Sequence, residues 1–342
     1  MSAKDDLKSL FALRPSPVRW PIALQAATAI ALPIALFTAL GEEQLGLLAS
    51  VGGFSALYLS NRSRVQRAAL LPIIAVALLV AAAIGVATAG QVWTSIVGLF
   101  AITVLASVVF LGFNVGPPGV LFPVLIAGVA QQLVMTGLNG WLVLGMMAIG
   151  SVIAYLVVLA PLVLRRNRIK DRVIERQRFP FRFDAETRVI LIRIIIGAVI
   201  AAALAVSLGL PRAYWVSLTL VAILQNGHRL RLTALRGIHR VLGTLVGVGL
   251  FALVELVQPR GWWIVLLLAA LQFVVELVVI RNYGLALVFI TPLALTISAQ
   301  GTEPAVAIVR DRVEDTLIGA VIAMLILLGS LALRSVRARN HA

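Results

Sequence analysis

The sequence predicts an all-α polytopic membrane protein with about twelve transmembrane helices, arranged as two parallel six-helix repeats. Three observations predict this class. Of the 342 residues, 61% are hydrophobic, which is more than soluble domains carry. The hydrophobic residues form long runs, and one pattern of residues occurs twice along the chain. Each half holds six runs, an even number, so both halves enter the membrane from the same side.

The repeat has an offset of 168 or 169 residues throughout. Matching positions are Arg19 and Arg188, Arg67 and Arg236, Asn114 and Asn282, Pro123 and Pro292, and Gly150 and Gly319. Residues that both halves share are expected to belong to the scaffold. Polar residues present in only one half are better candidates for chemistry.

A helix needs roughly 20 residues to cross the bilayer core, and this length identifies the membrane spans among the hydrophobic runs. The predicted spans are 20–40, 45–60, 68–90, 92–112, 118–136, 141–164, 189–208, 211–226, 237–257, 261–280, 283–300 and 316–333. The second span of each half is short. The chain divides into an N-terminal tail 1–18, a first repeat 19–164, a linker 165–188, a second repeat 189–334 and a tail 335–342.

The net charge of +15 would suggest nucleic acid in a soluble protein, but its distribution excludes that partner. With the N-terminus inside, 24 of the 29 lysine and arginine residues fall in inner segments and four in outer ones. This bias predicts that both termini and the linker 165–188 are cytoplasmic. The linker carries nine basic residues and is expected to rest on anionic membrane lipids.

The chain offers no residues for a cofactor, a metal or catalysis. It contains no cysteine, so thiolate metal sites are excluded. His228 and His239 would be about 16 Å apart on one helix, too far to share a metal ion. No nucleotide-binding loop or catalytic triad is present, so we do not expect an enzyme.

An ordered set of residues in the second half carries a family resemblance. The set comprises Tyr214-Trp215, Gln225, Arg240-x-x-Gly243-Thr244-x-x-Gly247, Asn282-Tyr283, Thr291-Pro292 and Arg312-x-x-Asp315-Thr316-x-x-Gly319. Together they resemble the fusaric acid resistance-like family of aromatic acid exporters, and the first half resembles a fainter copy. The resemblance implies a bacterial inner-membrane exporter of aromatic carboxylates and similar organic anions. It leaves open a homo-oligomer and a periplasmic adaptor.

Arg236 and Arg240 begin a helical face that continues with Gly243 and Gly247. One interpretation is an entrance at the cytoplasmic mouth that attracts carboxylates, because arginine can bind a carboxylate with two hydrogen bonds. The alternative is a positively charged anchor followed by a glycine packing seam. Arg240 favours the functional interpretation, since the first half has only apolar residues there. Arg236 matches Arg67 and fits either interpretation.

Further candidate binding residues come from aromatic and proline positions. Tyr214 and Trp215 could stack an aromatic substrate, or belong to an aromatic belt at the outer surface. Tyr283 enters the candidate set through the family resemblance. Pro123 and Pro292 interrupt the fifth span of each half, which indicates either a transport pathway or a plain kink.

Charged residues within the apolar runs are candidates for gating or coupling. Arg312 and Asp315 are predicted to form an outer charge pair, the alternative being a solvated loop. Glu276 is a membrane carboxylate without a counterpart in the first half, which predicts a proton relay. The alternative for Glu276 is a structural ion pair, for which Arg193 is the expected partner.

The leading functional hypothesis is a proton-driven secondary exporter of aromatic or other organic anions. The second hypothesis is a passive organic-anion channel, which the arginine-rich inner mouth would also fit. A lipid-processing or assembly protein is a third alternative, which lipid turnover without solute flux would support.

The predicted orientation can be tested by labelling single cysteines, because the chain has none of its own. We expect a Glu175→Cys variant to react with an impermeant maleimide only after the cytoplasmic side is exposed. Labelling of this position in intact cells from the outside would contradict the predicted topology.

Overall fold

The computed structural model of the protein describes residues 12–163, 181–225, 230–298 and 304–340. In these ranges the chain forms twelve α-helices, two short 3-10 helices and no strand, which confirms the all-α class. The helices are α1 Trp20–Ala39, α2 Glu43–Ser50, α3 Arg64–Thr88, α4 Val92–Gly112, α5 Leu121–Met135, α6 Gly140–Leu159, α7 Ala185–Leu208, α8 Tyr214–Leu224, α9 Leu230–Val257, α10 Trp262–Val278, α11 Tyr283–Ser298 and α12 Ala305–Asn340. Residues 164–180, which include most of the predicted linker 165–188, lie outside the described residues.

Seven of these helices are long and apolar enough to cross a membrane: α1, α3, α4, α6, α7, α9 and α12. Four apolar helices, α5, α8, α10 and α11, have only 11 to 17 residues. The predicted spans differ most from the structure at α12. This helix begins at Ala305, eleven residues before the predicted start, so the charged segment that precedes position 316 is helical.

Helices at matching positions of the two halves pack in the same way. Helix α3 packs on α5 as α9 packs on α11, and α4 contacts α7 as α10 contacts α1. The segments before α1 and α7 each dock on the other half. The backbone N–H of Arg14 donates to the carbonyl of Arg281 at 3.1 Å, and that of Arg182 donates to Gly112 at 2.9 Å. We call the end of the bundle that holds these hydrogen bonds the linker end.

The second segment of each half is short, as the sequence predicts. In the first half, α2 continues as a 3-10 helix over Val51–Leu57. In the second half, α8 has 11 residues, or about 16 Å, roughly half of the bilayer core. Every residue of α8 is buried, since α5, α7, α9 and α12 surround it. Helix α8 therefore ends inside the protein rather than at its surface.

Glycines permit the closest contacts between helices. A Cβ at Gly150 would clash with the carbonyl of Ala49, and a Cβ at Gly319 would lie 2.7 Å from the carbonyl of Val216. In the same way Gly243 and Gly247 lie against the backbone of α11. The two glycines on α9 thus form the predicted packing seam.

The two repeat prolines are not equivalent. Pro292 lies inside α11, where it leaves the carbonyl of Val288 without its helical partner. Pro123 is the third residue of α5, where a backbone N–H has no partner within the helix in any case. The prediction of a mid-helix break at Pro123 is therefore wrong, because α5 starts only at Leu121.

Two glycines on α6 provide a matched pair for testing this packing. We expect Gly150→Ala to destabilise the protein by about 1–3 kcal/mol, because the added methyl meets the backbone of α2. Gly145→Ala on the same helix meets no atom within 4 Å and should leave the melting temperature unchanged or slightly raised. Thermal melting in detergent measures both variants, and equal melting temperatures would contradict the close contact.

Candidate functional site

The tryptophans divide into exposed and buried residues. Trp93, Trp141, Trp262 and Trp263 are 58–83% exposed, as residues of an aromatic belt should be. Tyr214 and Trp215, at the start of α8, are almost completely buried. The belt interpretation is therefore wrong for Tyr214 and Trp215, which the short helix α8 carries into the interior.

Arg312 lies directly on Trp215. Its guanidinium carbon is 3.8 Å from the centroid of the Trp215 ring, and the whole side chain is buried. This geometry is a cation–π interaction, which is strongest where water is excluded. Nε and Nη1 of Arg312 have no hydrogen-bond partner within the described ranges. The solvated-loop alternative is wrong, since Arg312 is the eighth residue of α12 and packs inside.

Asp315, one turn further along α12, is 1% exposed. It interacts electrostatically with Arg312, but among the described residues no ion pair joins their side chains. The predicted charge pair is thus not formed in this structure. A different pair lies nearby, because Arg212 binds Asp311 at 2.6 Å with both side chains buried. Asp311 belongs to the same charged run but was not among the candidate residues predicted from the sequence.

Arg236 and Arg240 both contact Tyr283, the first residue of α11. The guanidinium of Arg236 stacks 4.1 Å from the centroid of the Tyr283 ring, and Nη1 of Arg240 donates to the Tyr283 hydroxyl at 3.2 Å. Arg240 is 2% exposed, and its Nε and Nη2 have no partner in the described part of the chain. The two arginines that the sequence placed on one helical face thus form one contact group with Tyr283, which the family resemblance had supplied.

The repeat separates the roles of the two arginines on α9. Nε of Arg236 donates to the carbonyl of Ala222, near the end of α8, at 3.1 Å. Its counterpart Arg67 donates to the carbonyl of Ala56 in the same way, at 2.6 Å. An arginine that fixes the end of the short second segment is thus common to both halves. Arg240 has no such counterpart.

We name Trp215, Arg236, Arg240, Tyr283, Arg312 and Asp315 the arginine cluster. The charges of Arg240 and Arg312 act on each other, and both act on Tyr283. The cluster extends along α8 from Trp215 to Ala222, about 10 Å. The sequence analysis placed Arg240 at a cytoplasmic mouth and Arg312 at an outer gate. That separation is wrong, because α8 is short and α12 extends further than predicted.

Chemically, the arginine cluster can bind an anion. The cluster contains three guanidinium groups and one carboxylate, and four nitrogen atoms of Arg240 and Arg312 have no acceptor among the described residues. Guanidinium N–H groups make strong, directional hydrogen bonds to carboxylates. The ring of Trp215 packs on Arg312, and the centroids of Tyr214 and Trp215 lie 4.7 Å apart.

Glu276 lies outside the arginine cluster, two residues before the last residue of α10. Its carboxylate binds Nη2 of Arg19, which precedes α1, at 3.0 Å, and both residues are buried. The expected partner was Arg193, but Nε of Arg193 donates to the hydroxyl of Ser330 at 3.2 Å. The sequence could not show this pairing, since Arg19 and Glu276 are 257 positions apart.

A second connection between the halves was also missed. The side-chain oxygen of Gln225, at the end of α8, accepts the backbone N–H of Val120 at 2.9 Å. The hydroxyl of Tyr58, which directly follows the short second segment of the first half, donates to the carbonyl of Gly119 at 2.7 Å. Both residues hold the loop before α5, a loop rich in glycine and proline. Within the described ranges no group of three His, Asp or Glu side chains could hold a metal ion.

The fold and the buried charges define a multi-pass helical membrane protein. Residues 198–326, from α7 to α12, match the family of fusaric acid resistance protein-like sequences. This stretch contains the whole arginine cluster, and the resemblance predicted from the sequence is confirmed over it.

A membrane protein of Bacillus subtilis (strain 168), named uncharacterized membrane protein YvaC, is 35% identical over 147 residues. The match covers 42% of this chain and 23% of YvaC, so the chain spans about a quarter of that relative's length. No solved structure matches the chain.

The ion pair between Arg19 and Glu276 predicts a stability effect. We expect Glu276→Gln to destabilise the protein by about 3–5 kcal/mol, because the change leaves a buried arginine without its partner. The double variant Arg19→Gln, Glu276→Gln should regain most of this loss. Thermal melting of the four proteins in the mutant cycle measures the coupling. Additive effects would show that the pair does not contribute to stability.

Proposed function

We propose that the protein transports aromatic carboxylates or similar organic anions across a membrane, and that the arginine cluster is its anion site. One observation carries the proposal. Nε and Nη2 of Arg240 and Nε and Nη1 of Arg312 are buried without hydrogen-bond partners among the described residues. Two arginines from different helices thus present donors to one interior region.

The charge balance of the cluster supports an anionic substrate. Arg236, Arg240 and Arg312 bring three positive charges and Asp315 brings one negative charge. The neighbouring Arg212 is already neutralised by Asp311. A buried charge without a partner is destabilising, so a bound anion would offset an excess that the protein leaves uncompensated.

The surroundings of the cluster support an aromatic or otherwise apolar substrate body. Tyr214 and Trp215 lie at one side of the buried guanidinium groups and Tyr283 at another. A planar substrate ring could stack there while its carboxylate engages Arg240. Tyr283 also positions Arg240 through its hydroxyl. The break at Pro292 lies on α11, the helix that Tyr283 begins.

Twelve membrane segments in two parallel six-helix repeats are part of the proposal. The matching helix contacts and the paired docking hydrogen bonds at the linker end support this arrangement. We assign the linker end to the cytoplasm of a bacterial inner membrane, because basic residues concentrate in the segments predicted there. The direction is export, as the family resemblance implies.

We further propose that Glu276 couples transport to the movement of protons. Protonation of Glu276 would remove the charge that holds Arg19 and would loosen the contact between α1 and α10.

The second candidate function is a passive anion pathway. The excess positive charge of the cluster favours it, since an inside-negative potential drives an anion outward by about 2.3 kcal/mol per 100 mV.

The anion site is tested by benzoate flux from proteoliposomes. We expect Arg240→Gln to reduce benzoate flux at least about tenfold, because a charge-assisted contact is lost. Arg240→Lys should restore only part of it, since lysine lacks the planar fork. Arg260→Gln, which removes an exposed arginine, is the matched control. Normal flux in Arg240→Gln, with a folded protein, would exclude Arg240 from the site.

Proton coupling is tested with the double variant Arg19→Gln, Glu276→Gln, which should keep its fold. We expect it to release benzoate along the membrane potential but no longer to respond to a pH gradient. Wild-type flux should respond to both gradients when each is set and collapsed separately. A wild type that ignores the pH gradient would favour the passive pathway. A double variant that still responds would exclude Glu276 from coupling.

A further inference from the structure

The first half contains a groove of about 510 Å³ at the linker end, remote from the arginine cluster. It lies between the start of α1, the start of α3 and the end of α6. Its polar wall includes Gln25, Ser60, Arg62, Ser63, Arg64 and Arg67. None of the described residues that line it is acidic. The groove therefore presents a concentrated positive charge, which the proposed transport function does not use.

Arg67 is the buried element of this groove. It is 4% exposed, and its Nη1 and Nη2 donate to the side chain of Gln25 and to the carbonyl of Ala56. Its Nε is buried without a hydrogen-bond partner among the described residues. Glu276 acts on Arg67 electrostatically, but its carboxylate is bound to Arg19. One donor of Arg67 is thus left for a ligand.

The start of α3 adds a second source of positive potential. Ser63 caps this helix by accepting the backbone N–H of Gln66 at 3.2 Å, and Arg64 is the first helical residue. The remaining N–H groups of a first helical turn and the helix dipole favour an anion at this position. A phosphate group has enough acceptor oxygens to engage these N–H groups and several arginines together.

The other wall of the groove is apolar and faces outward. Trp20 is 57% exposed and Leu24 is 52% exposed, and this wall is completed by Val157 on α6 and by Ala160, which directly follows α6. A free phosphate ion gains nothing from such a surface. A phospholipid could place its headgroup on the arginines and its acyl chains along α1 and α6. Exposed tryptophan is also typical of the level of lipid headgroups.

The repeat marks the groove as more than scaffold. Arg62 recurs as Arg231 and Arg67 as Arg236, but Thr233 and Val189 occupy the positions that match Arg64 and Trp20. Arg64 and Trp20 are therefore specific to the first half.

We propose that this groove binds the phosphate headgroup of an anionic phospholipid, with Arg62, Arg64 and Arg67 on the phosphate and Trp20 at the level of the glycerol backbone. The bound lipid would connect α1, α3 and α6 at the linker end. The inference does not depend on which solute the protein transports.

The experiment measures lipid retention by native mass spectrometry of the full-length protein, after addition of dioleoylphosphatidylglycerol or dioleoylphosphatidylcholine. We expect the wild type to retain phosphatidylglycerol in preference to phosphatidylcholine. Arg64→Gln should weaken that retention about tenfold, the effect of losing one charge-assisted contact. Arg64→Lys should weaken it less. Arg281→Gln removes an exposed arginine at the same end and is the matched control.

Melting temperatures without lipid establish that each variant is folded, and Arg64→Lys keeps the proposal testable if Arg64→Gln is not. Equal retention of both lipids by the wild type would overturn the proposal, as would an equal loss in Arg64→Gln and Arg281→Gln. Competition with sodium phosphate separates the two sources of the headgroup chemistry. If inorganic phosphate stabilises the protein and displaces phosphatidylglycerol, the site takes free phosphate and the assignment to lipid is wrong.

Discussion

Within the described residues, six arginine side chains are buried among apolar helices: Arg19, Arg67, Arg193, Arg212, Arg240 and Arg312. Each guanidinium needs a partner, because its surroundings do not solvate a charge. Arg19 and Arg212 bind carboxylates, while Arg67 and Arg193 have carbonyl, amide or hydroxyl acceptors. Arg240 and Arg312 instead contact aromatic groups and keep free donors. The buried arginines thus divide into those whose charge is held mainly by acceptors of the protein and those whose charge the described residues leave uncompensated.

The repeat explains why this division could be partly predicted. Arg236 shares with Arg67 the task of fixing the end of a short second segment, which a duplicated fold needs twice. Arg240, Arg312 and Asp315 have no counterparts, and the fold brings these three together. Residues shared by the two halves therefore mark the scaffold, and polar residues present in only one half mark the candidate site.

The sequence predicted the all-α class, the short second segments and the glycine seam on α9, since these depend on local composition and spacing. It could not predict which elements meet. The depth of a residue in the membrane follows, from sequence alone, only from its distance to the nearest end of a predicted span. By that measure Arg240 and Arg312 lie on opposite sides of the membrane. The eleven-residue length of α8 and the early start of α12 bring the two together. The same limit applied to Glu276, whose partner lies in the other half, and to Pro123, whose effect depended on where α5 begins.

The pairing of Arg19 with Glu276 also bears on how the chain is made. Arg19 precedes the first helix, and its partner follows 257 residues later. At about 5–20 residues per second, the ribosome needs roughly 13–50 s to reach that partner. During this interval the first half carries the charge of Arg19 before α1, but neither the Glu276 carboxylate nor the surface of α10 that buries this charge has yet been made. The nascent first half must therefore keep Arg19 in contact with water or lipid headgroups, and α1 can take its final depth only after α10 has been inserted.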